Sequence, residues 1–332
     1  MSEKPVRVAV IGAGEFGRNH VRVWRDIESA ELAGIVDTDV ERARKVAAEF
    51  GTRVIPDVDA LVSERVNAVS VAVPTRDHAR VGCHLLEAGF DVLVEKPMAA
   101  SLREADDLIA SAARAGRILQ IGHVERFNPA VTAVQAIVSR PLFFEVHRLG
   151  IFTPRSLDVD VVYDVMIHDL DIVLALVNAP VVDLKAVGIP VMTDKVDIAH
   201  ARIEFSTGTV ANLTASRVST ERVRKMRFFQ AHEYVSLDFS RQDVLRVRVR
   251  PASAQTESPQ PEINFEKLET APGEPLRAEL EAFAHSVRTR QTPVVDGAAG
   301  RRVLELADRV MAGILEHSRR VQLGAFSPRE VS

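Results

Sequence analysis

The sequence predicts an α/β chain in two parts. A doubly wound parallel sheet occupies residues 1–122, and an α+β domain with a mostly antiparallel open sheet occupies residues 123–332. Three observations carry this. Short β-branched runs alternate with helical stretches as far as Gly122, which implies right-handed crossovers and a sheet covered on both faces. The first run ends in a glycine-rich turn. Beyond Gly122 the strand-like runs lengthen and are joined by short polar turns, which suits antiparallel pairing.

In the first part, Val6 to Ile11 reads as a buried strand and Phe16 to Asp26 as the helix after it. Leu32 to Val36 is the second strand. Val40 to Phe50 is a helix with Glu41, Arg42, Arg44 and Lys45 on its wet side and Gly51 as its stop. Val54-Ile55 is a brief third strand, followed by a short helix from Asp57 to Ser63. Ala68 to Val73 is a fourth strand ended by Pro74, and His78 to Ala88 a helix ended by Gly89. Asp91 to Glu95 is the fifth strand. Ser101 with Glu104 three residues on is a capping box, opening a helix to Ala115. Ile118 to Ile121 is the sixth strand.

In the second part, helices are expected over Pro129 to Ser139 and Val159 to Val177. Strands are expected at Lys185–Val191, Ile198–Phe205, Val210–Val218, Lys225–Gln230, Tyr234–Phe239 and Val244–Arg250. Thr207-Gly208 and Ser240-Arg241-Gln242 read as hairpin loops. Pro251 to Pro275, rich in Pro, Ser, Thr and Glu, reads as a long loop or hairpin excursion. Two helices close the chain, Leu276 to Thr289 and Ala299 to Ser318.

The composition narrows the function classes. The net charge is −4, from 42 Lys and Arg against 46 Asp and Glu, and neither part is basic. Nucleic acid and anionic membrane are therefore poor partners. The alternating arginines of Arg246-Val-Arg-Val-Arg250 read as one wet strand face or an oligomer interface. Cys83 is the single cysteine, which excludes an intramolecular disulfide, a cysteine-based zinc cage and an iron–sulfur cluster. No apolar stretch reaches the ~20 residues that span a bilayer, and the N-terminus lacks a signal-peptide plan. The expectation is a soluble, cytoplasmic protein without a metal.

The glycine turn is Gly12-Ala13-Gly14-Glu15-Phe16-Gly17, a G-x-G-x-x-G set between a strand and a helix. Gly12 allows the tight turn, Gly14 lets a pyrophosphate approach the backbone, and Gly17 lets the helix pack on the strand. The helix N-terminus offers N–H groups and a positive dipole end to phosphates. Asp37 follows Gly17 at the usual distance of about 20 residues, where an acidic side chain holds the ribose hydroxyls. Motif, strand, helix and acid together point to NAD, and Asp37 disfavours a 2′-phosphate; Arg42 and Arg44 either soften that preference or are solvated helix residues. Pro74 and Thr75, at the end of a strand, flank the cofactor path. His78 reads equally as a partly exposed helix-start residue or as a cofactor contact.

Three stretches carry candidate chemistry. Glu95-Lys96-Pro97 ends the fifth strand, where the Lys96 ammonium can stabilise charge developing on a substrate oxygen. Pro97 restricts the backbone there and is a candidate for a cis bond. Asp164 and His168 lie four apart on a very apolar predicted helix, so a carboxylate can orient an imidazole. A satisfied buried pair is the alternative. Gly122-His-Val-Glu-Arg126-Phe-Asn128-Pro129 reads as a substrate cleft lining or as a linker with a helix start.

Together Ala9 to Gly14, Val94-Glu-Lys-Pro97, Asp164 with His168, and the ending Leu280-Glu-Ala-Phe, Pro293 to Gly297 and Gly300 to Ala307 resemble the glucose–fructose oxidoreductase / inositol dehydrogenase / rhizopine-catabolism (Gfo/Idh/MocA) family. The resemblance implies a Rossmann domain, an α/β domain with an open sheet, and homodimers or homotetramers built through that sheet. It implies Lys96, Asp164 and His168 as the catalytic set and Glu95 with Lys96 among the cofactor-binding residues. Ile121 to Ala130, with Arg148-Leu-Gly and Pro154-Arg155, is similar to the branch of the family that oxidises the 3-hydroxyl of UDP-N-acetylglucosamine. That implies a nucleotide-sugar substrate, a downstream aminotransferase and a lipid A precursor. Arg126 and Asn128 would hold the sugar or the nicotinamide end, and Arg155 would meet the diphosphate. Other readings remain a dehydrogenase of a free sugar, inositol or sugar acid, and an NAD-sensing regulator without catalysis.

Overall fold

A computed structural model describes residues 5–153, 159–250 and 261–321. The chain divides into two compact units, Met1–Phe127 with Glu274–Leu304, and Asn128–Gly273 with Glu305–Ser332.

The first unit is built on a five-stranded parallel sheet. Its elements in chain order are β1 (Val6–Ile11), α1 (Glu15–Arg25), β2 (Ala30–Val36), α2 (Val40–Phe50), α3 (Ala60–Ser63), β3 (Ala68–Val71), α4 (Thr75–Glu87), β4 (Asp91–Glu95), α5 (Leu102–Ala115) and β5 (Leu119–Gly122). The sheet order is β2-β1-β3-β4-β5, so the strand order reverses between β1 and β3. In such sheets ligands bind beyond the carboxyl ends of the strands at that switch point. The strands are almost wholly buried, as the continuous apolar runs require. Ser101 accepts from the Glu104 N–H, as the capping box predicts, while the Glu104 carboxylate accepts from Ala100 N, one residue before the cap. Gly51 and Gly116 end α2 and α5 in the left-handed region.

The expected strand at Val54-Ile55 is a single bridge, Val54 to Ile35, so the sheet has five strands and not six. Pro56 has no N–H to extend that pairing. The helix from Pro275 to Thr289 joins this unit through Leu280, Phe283, Ala284 and Val287, which share a core cluster with Trp24. Trp24 meets Phe283 edge-on at 6.4 Å and donates to Ser70 Oγ at 2.9 Å.

The second unit carries an eight-stranded sheet. Its elements are α6 (Pro129–Gln135), β6 (Phe143–Leu149), a π turn (Val162–Met166) running into α7 (Ile167–Val177), β7 (Val181–Ile189), β8 (Ile198–Phe205), β9 (Val210–Ser216), β10 (Val223–Gln230), β11 (Glu233–Asp238), β12 (Asp243–Arg250) and β13 (Glu262–Leu268). The helix from Pro275 is α8, and α9 (Gly297–Arg320) closes the described chain. The order is β13-β12-β11-β10-β6-β9-β8-β7, antiparallel except for the β6–β9 pair. One face is buried and the other half-exposed, so β6 alternates strictly between buried and half-buried residues.

Two strands lie outside the sequence expectation. β6 lies between the expected helices, and its burial alternates with a clean period of two. β13 occupies part of the expected loop between Pro251 and Pro275, pairing with β12 from Val244–Leu268 to Arg250–Glu262. The expected helix to Ser139 ends at Gln135, and Ser139 is held instead by the Gln230 side chain.

Candidate active site

The glycine turn is shaped as the fingerprint requires. Gly12 has φ +98°, and a Cβ there would meet the Ala72 carbonyl oxygen at 2.6 Å. Gly17 faces the Gly12 carbonyl so closely that a Cβ would stand 1.9 Å from it. Gly14 is the opposite case: a Cβ would meet nothing within 4 Å. No side chain caps α1 at Gly14, and Glu15 and Phe16 in its first turn are exposed, Phe16 at 59%. An open approach to an uncapped helix end fits a pyrophosphate.

Asp37 stands at the end of β2 beside that turn. Its carboxylate accepts from Ala13 N at 2.5 Å and Asp39 N at 2.8 Å, and from the Arg42 guanidinium at 2.7 and 3.1 Å. Burial pushes this carboxyl up, but Arg42 and the two backbone N–H groups outweigh it and hold it below the usual carboxylate range. Arg42 is thus an ion-pair partner of Asp37, whereas Arg44 pairs with Glu41 on the helix surface.

Pro74 is exposed and Thr75 half-buried at the start of α4. His78 is not a partly exposed helix-start residue. It is 1% exposed, with Nδ1 2.8 Å from the Pro97 carbonyl oxygen and Nε2 2.9 Å from that of Val73. Carbonyls only accept, so both contacts are hydrogen bonds only when the ring carries two protons. Burial opposes that charge and holds the imidazole below its ordinary range, so the neutral ring donates to one carbonyl and lies against the other.

Glu95 and Lys96 end β4, and the Lys96–Pro97 peptide is cis. The Glu95 carboxylate lies 2.8 Å from His20 Nε2 and accepts from Lys96 N at 3.2 Å. Burial pushes Glu95 up, yet the His20 hydrogen bond and the charges around it hold it below its usual range. His20 is fully buried on α1 and lies outside the motifs of the sequence. Its signal there is faint: a histidine three residues past the last glycine, on the face that packs toward the sheet.

In the second unit, Asp164 lies in the π turn and His168 in the first turn of α7, both half-buried. π turns of this kind are frequent at functional sites. The neighbours of the pair are anchored. Tyr163 donates to Asp308 Oδ1 at 2.7 Å, and burial pushes both groups up. Asp169 accepts from Arg148 in a buried ion pair with bonds of 2.8 to 3.0 Å, and Arg148 lies 4.8 Å over the Phe239 ring. Arg148 and Asp169 were not assigned roles from the sequence. Asn128 is 2% exposed; its Oδ1 caps α6 at Ala130 N and its Nδ2 donates to the Phe239 carbonyl. Those bonds make it the cap of α6. Arg126 is half-buried in a short 3-10 turn, Val124–Phe127. Arg155 lies outside the described residues.

A parallel strand, an open glycine turn, an uncapped helix and an acid at the end of the next strand define a dinucleotide-binding domain. Residues 6–123 match the oxidoreductase family with an NAD-binding Rossmann fold, and residues 130–231 match the GFO/IDH/MocA C-terminal domain. The chain belongs to the Gfo/Idh/MocA oxidoreductase family. It is 42% identical over 310 residues to a UDP-N-acetylglucosamine 3-dehydrogenase of Acidithiobacillus ferrooxidans, covering 93% of this chain and 97% of the relative. A solved structure of that A. ferrooxidans enzyme aligns with a TM-score of 0.87 at 41% identity, over 94% of this chain and 98% of that one. An inositol 2-dehydrogenase of Saccharopolyspora erythraea is 30% identical over 181 residues, 52% of this chain and 54% of the relative. An oxidoreductase of Agrobacterium radiobacter, solved with NAD+, L-tartaric acid and magnesium, shares the fold at a TM-score of 0.82 and 17% identity, covering 94% and 97% of the two chains.

Proposed function

We propose that this oxidoreductase converts the 3-hydroxyl of UDP-N-acetylglucosamine to the 3-ketone. The observation that carries the reading is the 42% identity to the A. ferrooxidans 3-dehydrogenase over nearly the full length of both chains. Bound at the glycine turn, NAD+ supplies the hydride acceptor. The residues of the chain supply the rest. Gly12, Ala13, Gly14 and Gly17 with the N-terminus of α1 hold the phosphates, and Asp37 holds the ribose. His168 takes the hydroxyl proton, with Asp164 orienting its ring. The Lys96 ammonium donates a hydrogen bond to the same oxygen as its charge develops. Arg126 and Arg155 are assigned to the substrate, the latter to its diphosphate. The reading extends to a cytoplasmic homodimer or homotetramer whose ketone product passes to an aminotransferase for lipid A.

NADH formation with a panel of UDP-sugars, free sugars and inositol tests this. Activity on UDP-N-acetylglucosamine with little on free sugars is expected. Activity confined to a free polyol would overturn it and favour the second reading, for which the inositol 2-dehydrogenase similarity speaks. Lys96→Ala should bind NAD normally yet lose most turnover, and near-normal turnover would remove Lys96 from the mechanism.

A further inference from the structure

Lys96 is flanked on both sides by residues that buried histidines hold. On the N-terminal side, Glu95 is bonded to His20 Nε2 at 2.8 Å and itself accepts from Lys96 N. It lies against Gly122 of β5, where a Cβ would come within 3.1 Å of Glu95 Cα, Cδ and Oε1. On the C-terminal side, His78 Nδ1 faces the Pro97 carbonyl at 2.8 Å, and its Nε2 faces Val73, just past β3, at 2.9 Å. Both histidines are at most 1% exposed. Each is a polar side chain placed in the core of the sheet–helix packing, where an apolar residue would fill space at less cost in desolvation.

We propose that His20 and His78 are positioning residues for Lys96, fixing the backbone on either side of it through Glu95 and the Pro97 carbonyl. The proposal rests on the catalytic reading of Lys96. A long lysine side chain has large rotamer freedom, and a reacting group displaced by about 1 Å loses about a hundredfold in rate. Anchoring residues 95 and 97 at once removes the backbone's share of that freedom. Neither histidine needs to touch substrate or cofactor.

Ring-nitrogen mimicry separates this from simple packing. An asparagine amide occupies the place of Nδ1 and a glutamine amide that of Nε2. With the neutral His78 ring donating from Nδ1 to Pro97, as the proposal requires, His78→Asn keeps that bond and His78→Gln replaces it with one to Val73. His20→Gln keeps the bond to Glu95 and His20→Asn loses it. The readout is the carbon-13 dimethyl-amine signal of Lys96 after reductive methylation of the whole protein, assigned with Lys96→Arg and read by NMR with and without NAD. In His78→Gln and His20→Asn the Lys96 signal should shift or broaden while the other lysines hold; in His78→Asn and His20→Gln it should stay in place. Turnover should fall about 10- to 100-fold in the first two variants, with KM and the NAD dissociation constant changing less than about threefold. Gly122→Ala presses on Glu95 without touching either histidine and should move the same signal, which keeps the test open if a histidine variant fails to fold. A Lys96 signal unmoved in every folded variant, or moved equally by mimic and non-mimic, overturns the proposal. A signal that moves with turnover unchanged upholds the positioning and instead refutes the catalytic reading of Lys96.

Discussion

Two glycines of one turn should respond oppositely to the same methyl group. At Gly17 the added Cβ would stand 1.9 Å from the Gly12 carbonyl oxygen and 2.8 Å from its carbon, both backbone atoms of a tight turn that has no side chain to swing aside. Overpacking a core costs about 1–3 kcal/mol, and a backbone clash belongs at the upper end. At about 2–4 °C per kcal/mol, Gly17→Ala should melt several degrees below wild type without any cofactor present. Gly14 has φ −65° and ψ −172°, extended values that alanine adopts freely, and open space around its Cβ position. The narrower unfolded ensemble gains about 0.4–1 kcal/mol, and alanine as N-cap loses a similar amount. Gly14→Ala should therefore melt with wild type. It should fail with NAD. Wild type at NAD a hundredfold above its dissociation constant gains about 2.7 kcal/mol. A methyl group where the pyrophosphate must approach should raise that constant at least about tenfold, a loss of about 1.4 kcal/mol. Thermal melting with and without NAD, together with calorimetric titration, reads both effects. Gly14→Ala binding NAD within threefold of wild type would refute the assignment of this turn to the cofactor.

Arg42→Ala should raise the preference for NAD over NADP, since Arg42 is the guanidinium held against the ribose-site acid; an unchanged ratio of the two affinities would show that it plays no part. Asp169→Asn removes the carboxylate that pairs with buried Arg148 and should cost about 3–5 kcal/mol in urea unfolding, much of it recovered when Arg148→Met is combined with Asp169→Leu. Asp197, whose carboxylate accepts from the N–H groups of Val191, Met192 and Thr193, is held below the usual carboxylate range by those bonds against the pull of burial. Asp37 is lowered in the same direction. A lowered folded pKa stabilises fully above the unfolded value of about 4 and is lost as pH falls through the folded one. Stability should thus decline below about pH 4, and Asp197→Asn should flatten that part of the profile; an identical acid slope would refute the linkage.

The parallel sheet was legible because its strands are continuous apolar runs and its helices carry local stop signals, such as Ser101 with Glu104 and the left-handed Gly51 and Gly116. Val54-Ile55 misled because two β-branched residues satisfy a propensity without enough backbone to pair. β13 was hidden in the opposite way. Ile263 and Phe265 are exposed, so its pairing with β12 leaves no core face for a hydrophobic pattern to report. The glycine turn and Asp37 were legible because a fixed spacing dictates them. His20 and the Arg148–Asp169 pair were not, because their partners lie 75 and 21 residues away and no local pattern links them. Asn128 was legible as a cap, because a helix beginning at Pro129 needs one and an asparagine directly before the proline supplies it.

The spacing of Asp164 and His168 was read at 3.6 residues per turn, but the turn that holds Asp164 is a π turn, with bonds to the fifth residue rather than the fourth. An inserted residue in a helix weakens its hydrogen bonds and persists only when the surroundings fix it. Here they do. Tyr163, immediately before Asp164, is tied to Asp308, and Asp169, immediately after His168, is tied to Arg148. The same arrangement surrounds Lys96, between the anchored Glu95 and Pro97. In each case the residue with the candidate chemistry is half-buried and a chain neighbour is tied by a polar contact. Productive geometry demands placement within about 0.5 Å. Anchoring the neighbour contributes to that placement through the backbone.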